Sequence, residues 1–305
     1  MTAVQRDKAP GTASAAVPML IRTRTGLTAA RAALPGPVIL VPTMGALHDG
    51  HLSPLRRARE LAGPQGSVLV SIFVNPLQFG PAEDFDRYPR PLERDLALCA
   101  EEGVSAVFHP DRAQMYPAEP MVTVSPGPVG RQFEGRSRPG FFDGVLTVVL
   151  KLFKLTCPDA AVFGAKDAQQ LFLIRQMVRD LDLGVAIEAA PLHRDPDGLA
   201  ASSRNVYLSA AERASALALS RALSAGAAAA RSGPAAALKA ARVVLDEAAA
   251  ARPPVELDYL ELVDPATFTD AGADYRGSAT MLVAARVGAT RLIDNAVMDF
   301  PGAAA

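Results

Sequence analysis

The chain has 305 residues, a length sufficient for one large hydrophobic core or for two domains. Half of its residues are hydrophobic (50%), and its formal net charge is −1. The near-neutral charge argues against a dedicated nucleic-acid-binding protein, and no apolar run is long enough to cross a membrane. Cys99 and Cys157 are too few for a disulfide framework, and the first residues lack the apolar core of a signal peptide, so a cytoplasmic protein is expected.

The first part of the chain predicts an α/β domain. Residues 1–18, rich in Ala, Thr, Ser, Gly and Pro without periodicity, are expected to be a disordered tail. Apolar, strand-like segments then alternate with segments of helical spacing, which is typical of a parallel sheet with crossover helices. Residues 19–190 are therefore predicted to form a Rossmann-like, doubly wound parallel sheet. The predicted strands cover residues 38–41, 67–75, 104–109, 160–163 and 184–190, and the predicted helices cover residues 28–34, 52–61, 91–103, 145–155 and 167–181.

The remaining residues, 191–305, are predicted to form a smaller α+β domain that closes over the first. Alanine-rich helices are expected up to about residue 231 and over residues 234–251. Alternating apolar and polar residues predict a strand with one solvent-exposed face at residues 255–263. Further strands are expected at residues 279–287 and 290–293.

Polar segments collect at the carboxyl ends of the predicted strands, where open parallel sheets bind their ligands. They are residues 42–51, 75–88 and 164–167, and the loop at residues 201–205 begins the second domain and is placed to close over them. An active site between the two domains is therefore expected before any family is considered. A Gly- and Pro-rich segment at residues 126–140 carries several arginines and is expected to be a basic loop.

His48 and His51 stand three residues apart at the start of a predicted helix, on one face of its first turn. With Gly45, Gly50 and the unpaired N–H groups of the helix start, they suit an anion such as phosphate. The alternatives are a cap or core role, or two ligands of a zinc site. Zinc needs a third ligand, and no suitable Cys or His clustering occurs in the sequence, so no metal-binding residue is predicted.

Lys166 follows the fourth predicted strand and is either an anion contact or a solvated loop charge. The Ser-Ser-Arg sequence at residues 202–204 offers two hydroxyls and a guanidinium, which suit phosphate oxygens. On composition alone this sequence is equally consistent with a plain turn. Taken with the two histidines, these residues narrow the expected anion to a nucleoside triphosphate.

Five sequence motifs together resemble one known family. They are Pro-Thr-Met-Gly-Ala-Leu-His-Asp-Gly-His at residues 42–51, Phe-Val-Asn-Pro-Leu-Gln-Phe-Gly at 73–80, Arg-Ser-Arg-Pro at 136–139 with Gly-Val-Leu-Thr-Val-Val at 144–149, Phe-Gly-Ala-Lys-Asp-Ala-Gln-Gln-Leu at 163–171, and Asp-Gly-Leu-Ala-Ala-Ser-Ser-Arg-Asn at 197–205. Their order and spacing resemble the pantoate–β-alanine ligase family of the nucleotidyltransferase superfamily, over about residues 20–300. The H-x-G-H motif alone indicates only the superfamily, whereas all five motifs together are specific.

The resemblance implies an ATP-dependent condensation of pantoate with β-alanine to give pantothenate, AMP and pyrophosphate through pantoyl adenylate. It implies catalytic roles for His48, Lys166 and His51, which matches the family's proton donor, with Mg²⁺ bridging the phosphates of the substrate ATP. It further implies a homodimer. The implied ATP-binding residues are Met44, Gly45, Ala46, Leu47, His48, Asp49, Gly50, His51, Gly164, Ala165, Lys166, Asp167, His193, Ala201, Ser202, Ser203 and Arg204.

The remaining substrates are assigned to few residues by the same resemblance. Gln78 and Gln170 match the glutamines that bind pantoate, whose hydroxyls and carboxylate suit an amide that both donates and accepts. Without the resemblance, Gln170 would be interpreted as an exposed helix glutamine. Gln78 and Tyr88 are the implied β-alanine contacts, Tyr88 at the entrance, and Arg138 is a candidate in a mobile loop.

A few positions depart from the family's pattern. Ala165 and Ala168 stand where Glu and Tyr are usual, and Ala201 stands where Met or Leu is usual. His193 replaces a small apolar residue near the adenine, and residues 141–143 read Phe-Phe-Asp where His-Phe-Arg is common. Because the histidines, the lysine, both glutamines and Ser-Ser-Arg remain, activity is expected, with altered packing around ATP.

Two other hypotheses remain open on the sequence. The first is another adenylyl- or cytidylyltransferase, acting on a different small acid or a phosphate. Such an enzyme would keep H-x-G-H and Ser-Ser-Arg but has no reason to carry Gln78 and Gln170. The second is a non-enzymatic paralogue that binds a nucleotide or a partner, which the alanine replacements suggest.

Overall fold

The structure, a computed structural model, describes residues 17–81 and 83–301. The first 16 residues of the predicted disordered tail lie outside the described part of the chain. Six parallel strands form the main sheet within the described residues: β1 (Met19–Ile21), β2 (Val38–Thr43), β3 (Ser67–Ile72), β4 (Ala106–Phe108), β5 (Ala160–Gly164) and β6 (Ala186–Ala190). Their order in the sheet is β1-β4-β3-β2-β5-β6.

Helices cover both faces of this sheet because alternate strand residues point to opposite sides and both sides are apolar. The helices are α1 (Arg24–Ala33), α2 (Asp49–Ala62), α3 (Leu92–Glu101), α4 (Arg112–Met115), α5 (Glu134–Ser137), α6 (Phe141–Thr156) and α7 (Ala168–Asp180). Val38 and Leu40 of β2 face α1, α6 and α7, whereas Ile39 and Val41 face α2 and α3. Such burial contributes about 1.5–3 kcal/mol for each Val, Leu or Ile side chain.

The smaller domain packs two long helices on an antiparallel sheet. Helix α8 (Ala210–Ala229) begins with a capping box, in which Ser209 Oγ accepts from the Glu212 N–H and Glu212 Oε2 accepts from the Ser209 N–H. Helix α9 (Pro234–Ala249) follows. The sheet order is β7 (Val255–Val263), β8 (Gly277–Val287) and β9 (Thr290–Phe300). The predicted fold class, a doubly wound sheet with a smaller α+β domain, is confirmed.

Several element boundaries differ from the prediction. Strand β1 was not predicted, because a three-residue edge strand whose Met19 and Leu20 are exposed has no periodic pattern. The predicted strand 67–75 ends at Ile72. Strand β9 runs to Phe300 rather than residue 293. Its charged and polar middle breaks the alternation because Arg291 and Asn295 contact the larger domain.

The basic segment at residues 126–140 is not an irregular loop throughout. It contains a 3₁₀ turn, Val129–Arg131, and the short helix α5. Helix α6 begins at Phe141, four residues before the predicted start at residue 145, directly after Gly140, whose φ of +81° suits a glycine. In the described chain no helix is both long and apolar enough to span a bilayer.

The strand order reverses beside β2, which pairs with β3 on one side and with β5 on the other. Doubly wound sheets bind ligands at such a switch point, outside the carboxyl ends of the strands. The loops that leave β2 and β5 therefore border the crevice. They carry His48, His51 and Lys166.

Candidate active site

The turn that leaves β2 and enters the first residues of α2, residues 44–51, is held by the two histidines themselves. His48 is the N-cap of α2, and its Nδ1 accepts a hydrogen bond of 3.0 Å from the Gly50 N–H. His51 Nδ1 accepts from the backbone N–H of His48 at 3.3 Å, which completes a reciprocal capping box. Because Nδ1 is the acceptor in both rings, the proton of each neutral imidazole lies on Nε2. The cap role and an anion-binding role are therefore compatible.

Both imidazoles are neutral at physiological pH. Burial lowers the pKa of His48 to about 4, and the positive charge of Lys166 acts in the same direction. Burial, the neighbouring His48 ring and Lys166 lower the pKa of His51 to about 3. The two ring centroids are 4.2 Å apart. The pair therefore offers two Nε2–H donors beside a cationic side chain, an arrangement that suits an anionic ligand.

Asp95 of α3 fixes the backbone of this turn and was not predicted as a site residue. Its carboxylate is buried, and it accepts from the N–H groups of Ala46 at 2.9 Å and Leu47 at 2.8 Å. Burial raises the pKa of Asp95, although the two N–H donors favour the charged form. The signal in the sequence was a carboxylate four residues before Cys99, on the apolar face of a predicted helix.

Gly50 allows the second domain to approach the histidines. A Cβ atom at this position would lie 2.7 Å from His48 Cε1 and 2.9 Å from the Cβ of Ala201. Ala201 directly precedes the Ser-Ser-Arg sequence, and its N–H donates to the His193 carbonyl at 3.0 Å. The segments predicted to surround the nucleotide therefore meet at Gly50, and His193 takes part through its backbone while its side chain is exposed.

Lys166 lies in the short loop between β5 and α7. The N–H of Ala165 donates to the Ala190 carbonyl of β6 at 2.9 Å, which holds the start of this loop to the sheet. Asn295 of β9 contacts the same loop with its side-chain amide. Asp167, the N-cap residue of α7, is exposed and lines the cleft beside Lys166.

The Ser-Ser-Arg segment forms the start of a 3₁₀ helix, Ser203–Tyr207, with Ser202 as its N-cap. The guanidinium of Arg204 forms two hydrogen bonds to Asp84, of 3.0 and 3.2 Å, and Ser203 Oγ lies 3.3 Å from Tyr88 Oη. Burial opposes ionisation of Asp84, but Arg204 holds the pKa of this carboxyl below its ordinary value. The side chains of this segment therefore join it to the loop that carries Asp84 and Tyr88.

Gln78, predicted to bind pantoate, is buried in the 3₁₀ turn Pro76–Gln78. Its Oε1 accepts from Asn75 Nδ2 at 3.0 Å. Asn75 is held in turn by Gly144, whose carbonyl accepts from Nδ2 at 3.1 Å, and by Tyr116, whose hydroxyl donates to Oδ1 at 3.0 Å. Neither Asn75 nor Tyr116 was predicted, although Asn75 lies in the quoted motif. Their partners come together only through tertiary packing.

The other predicted pantoate residue, Gln170, is half-buried and lines the cleft rather than standing exposed on a helix. Its neighbour Gln169 is buried and supports the basic segment by donating to the carbonyls of Val129 and Gln132 at 2.8 and 3.0 Å. Arg138 donates to the Gln78 carbonyl at 2.9 Å and pairs with Glu83. Arg138 thus anchors its loop to the turn that carries Gln78.

A cleft of about 870 Å³ lies between the two domains. Of the predicted residues, Arg138, Lys166, Asp167, Gln170, Ser202 and Arg204 line it, whereas His48 and His51 are not among its lining residues. The far wall belongs to the small domain, including residues 290–295 of β9. Met44 and Gly45 line a separate cavity of about 220 Å³, together with Asp95 and His109. Only part of the predicted set therefore lines the large cleft, and Met44 and Gly45 line the separate, smaller cavity.

The alanine replacements leave the polar groups of the site in place. Ala168 packs in an apolar cluster with Phe172 and Phe268, where the two domains meet. Ala165 takes part through its backbone, and buried Ala201 lies against Gly50. At Ala165, Ala168 and Ala201 the chain therefore contributes backbone and apolar contacts rather than polar side chains.

These features define an α/β enzyme site for a phosphorylated ligand at a topological switch point. The family model described as pantoate–β-alanine ligase matches residues 19–297. The chain is 64% identical over 284 residues to the pantothenate synthetase of Thermobifida fusca, covering 91% of this chain and 95% of that protein. It is 60% identical over 286 residues to that of Acidothermus cellulolyticus, covering 92% of each.

Comparison with solved structures leads to the same family. A crystal structure of pantothenate synthetase from Thermus thermophilus has a TM-score of 0.84 at 46% identity, over 91% of this chain and 98% of that one. The pantoate–β-alanine ligase of Francisella tularensis, complexed with beta-gamma ATP and beta-alanine, has a TM-score of 0.75 at 30% identity, over 92% and 97%. The chain belongs to the pantoate–β-alanine ligase family, and it is a ligase that condenses pantoate with β-alanine. The two other hypotheses are set aside.

Proposed function

We propose that the interdomain cleft carries out this condensation in two steps. In the first, a carboxylate oxygen of pantoate bonds to the α-phosphorus of ATP while the bond from that phosphorus to pyrophosphate breaks. In the second, the amine of β-alanine bonds to the pantoyl carbon, loses a proton, and AMP leaves with the shared oxygen. The observation that carries this proposal is the pair of Nε2–H donors, His48 and His51, beside Lys166 at the switch point.

The histidines and Lys166 would stabilise the first transition state. Negative charge gathers on phosphate oxygens as the carboxylate attacks, and fixed donors placed there need no reorganisation. The proton-donor role expected of His51 fits its geometry, because Nδ1 is occupied by the cap and Nε2–H is presented. Bound phosphates would raise the low pKa of both rings, since a nearby opposite charge favours the imidazolium form.

Pantoate would lie between Gln78 and Gln170. The backbone partners of Asn75, the Leu77 N–H and the Gly144 carbonyl, set the orientation of its amide, which turns Nδ2 towards Gln78. The oxygen of Gln78 is therefore engaged and its Nε2–H₂ is the end that presents donors. We propose that this group donates to an oxygen of pantoate, while Gln170 contacts the acid from the cleft.

The triphosphate would lie between the turn at residues 44–51, the loop at residues 164–167 and the segment at residues 201–204, with the His193 backbone near the base. Ser202 and Ser203 supply hydroxyls, and Arg204 supplies a guanidinium. Since Arg204 is paired with Asp84 here, we expect the phosphates to replace that carboxylate as its partner. Tyr88, bonded to Ser203, is proposed to line the β-alanine entrance with Gln78.

Mg²⁺ is proposed to arrive with the nucleotide. Among residues 17–81 and 83–301, no group of three or more His, Cys, Asp or Glu side chains is arranged to hold a metal ion. Mg²⁺ usually keeps several waters and binds through substrate phosphates with one or two carboxylates. The residues present fit such an ion, because exposed Asp167 does not cap α7 and would hold one of its waters. When bound, the ion would neutralise charge on the phosphate oxygens.

Three further expectations remain predictions. A homodimer and a cytoplasmic location follow from the family resemblance and the sequence. A domain boundary between residues 190 and 191 is proposed because β6 ends at Ala190 and the segment that follows pairs with β9 through Arg194 and Asp294.

One assay tests the proposed reaction. AMP and pyrophosphate are measured after ATP is supplied with pantoate alone, with β-alanine alone and with both. Pyrophosphate release that requires pantoate, and AMP release that requires both substrates, supports the proposal. Release of either product at a rate that does not depend on pantoate would contradict the proposal.

A further inference from the structure

Two adjacent residues of the small domain, Asp294 and Asn295 in the middle of β9, contact the loop of the predicted catalytic Lys166 and the segment that leads to the predicted ATP-binding residue Ser202. Asn295 reaches the loop of Lys166, and Asp294 reaches the segment that leads to Ser202. Both residues line the interdomain cleft. Neither was predicted to be a site residue.

The amide of Asn295 serves two successive carbonyls. Its Nδ2 donates to the carbonyl of Ala165 at 3.0 Å and to that of Lys166 at 2.7 Å. Each hydrogen of one NH₂ group thus holds one peptide of the loop from the same side. The orientation of these two peptides sets the direction of the Cα–Cβ bond of Lys166. The contact with Asn295 therefore determines the direction in which the lysine side chain leaves the backbone.

Few other contacts could take over this task. The N–H of Ala165 is held to β6, but this bond lies before Lys166. Asp167, directly after Lys166, does not cap α7 with its side chain in the described structure. The peptides on either side of the lysine therefore depend on β9, an element of the other domain.

Asp294 in turn fixes Asn295. It is buried, accepts two hydrogen bonds from Arg194 at 2.6 and 2.9 Å, and accepts one from the backbone N–H of Asn295 at 2.8 Å. Arg194 also donates to the Gly198 carbonyl at 3.1 Å. A bidentate pair in which the carboxylate is buried has a defined geometry, so the strand that presents Asn295 is itself held in place.

We propose that Asn295 is a positioning residue for Lys166 in adenylate formation. It does not touch the reacting atoms; it orients the loop so that the ammonium of Lys166 meets the phosphates beside the two histidines. The inference rests on the proposed role of Lys166. It makes the small domain a part of the catalytic geometry rather than only a cover for the cleft.

A double-mutant cycle separates positioning from general structural support. Pyrophosphate release is measured in Asn295→Ala, Lys166→Ala, the double variant and the control Val297→Ala, which changes an exposed side chain two residues further along β9. We expect Asn295→Ala to lower kcat by about 10- to 100-fold, because a displacement of about 1 Å has such effects. The KM for pantoate should change by less than about twofold, since Gln78 and Gln170 are untouched.

The second half of the cycle is decisive. In the Lys166→Ala background, Asn295→Ala should cause no further loss of kcat, because its target is gone. An equal loss in both backgrounds would overturn the inference while leaving the role of Lys166 intact. If the Lys166→Ala variant retained the kcat of the unmodified chain, the proposed role of Lys166 itself would be refuted. If Asn295→Ala does not fold, Asn295→Asp replaces it in the cycle, because it keeps the side-chain volume and removes both N–H donors.

Discussion

The histidine turn, residues 44–51, and the serine–arginine loop, residues 201–205, meet where Gly50 approaches Ala201 but are held in different ways. In the histidine turn, side chains bond to backbone N–H groups, with Asp95 holding Ala46 and Leu47 and the two imidazoles capping α2. In the serine–arginine loop, Ser202 and Asn205 also bond to the backbone, but Arg204 bonds to the side chain of Asp84 and Ser203 to that of Tyr88. Backbone partners stay in place when a ligand arrives, whereas a phosphate can replace a carboxylate. We therefore propose that the turn is preorganised and that Arg204 exchanges its partner when the nucleotide binds.

The largest expected effect follows from removing a preorganised donor. His51→Ala should lower kcat by about 10²- to 10³-fold, the usual loss when one donor to a developing charge is deleted. His51→Gln is the matched control, because glutamine at this position of a capping box restores the bond to the His48 N–H without an imidazole. Initial rates and melting temperatures of both variants check the prediction. A near-normal kcat in His51→Gln would show that the ring serves only as a cap.

A second prediction concerns Asp95, the residue of α3 that holds the backbone of the histidine turn. Asp95→Asn keeps the shape of the side chain but leaves one of the two buried N–H groups without an acceptor. Stability should fall by about 1–3 kcal/mol, the cost of an unsatisfied buried donor. Urea unfolding measures the loss, and Asp49→Asn, which changes an exposed carboxylate in the same turn, is the control. Equal stability of the two variants would contradict the role of Asp95.

The pH dependence of stability tests the neutral histidines. Their pKa is about 4 and about 3 in the folded chain, below the ordinary 6.5, so between these values the unfolded chain binds more protons. Their contribution is fully present above pH 6.5 and is lost as pH falls towards 4 and then 3. The free energy of unfolding should fall more steeply between pH 6.5 and 4.5 than in a His48→Asn, His51→Gln variant, whose residues still cap the helix. If the free energy of unfolding changed with pH at the same slope in both proteins, the two rings would be protonated or solvated in the folded chain.

The smallest expected effect concerns partner exchange in the serine–arginine loop. Asp84→Asn removes the charge that competes with phosphate for Arg204, so ATP should bind about two- to fivefold more tightly, a change typical of a partly exposed ion pair. Titration calorimetry measures the Kd. Glu60→Gln, which weakens an exposed ion pair elsewhere, is the control. Weaker ATP binding in Asp84→Asn would mean that Asp84 holds Arg204 in its binding position rather than competing for it.

The difference between the two regions also explains what the sequence predicted. The strands, the helices behind them and the positions of His48, His51 and Lys166 follow from local apolar patterns and from the rule that ligands bind at strand ends. A family resemblance assigned Gln78 and Gln170. These features depend on short stretches of chain.

The residues that were missed act across long stretches of chain. Asp95 lies 44 residues or more from the histidines it supports, Tyr116 bonds to Asn75 across 41 residues, and Asn295 reaches Lys166 across 129 residues. A single sequence does not pair such positions, because their contacts arise from the packing of whole elements. Strand β1 and the early start of α6 were missed because the edge strand is too short for periodicity and Gly140 reads as a loop residue.

The central claim is that the preorganised histidine turn drives adenylate formation before β-alanine takes part. ATP–pyrophosphate exchange, measured with pantoate and without β-alanine, tests it directly in the unmodified chain and in His51→Gln. The account predicts exchange that depends on pantoate in the unmodified chain, and its near-complete loss in His51→Gln at an unchanged melting temperature. Exchange without pantoate, or exchange retained in His51→Gln, would contradict it.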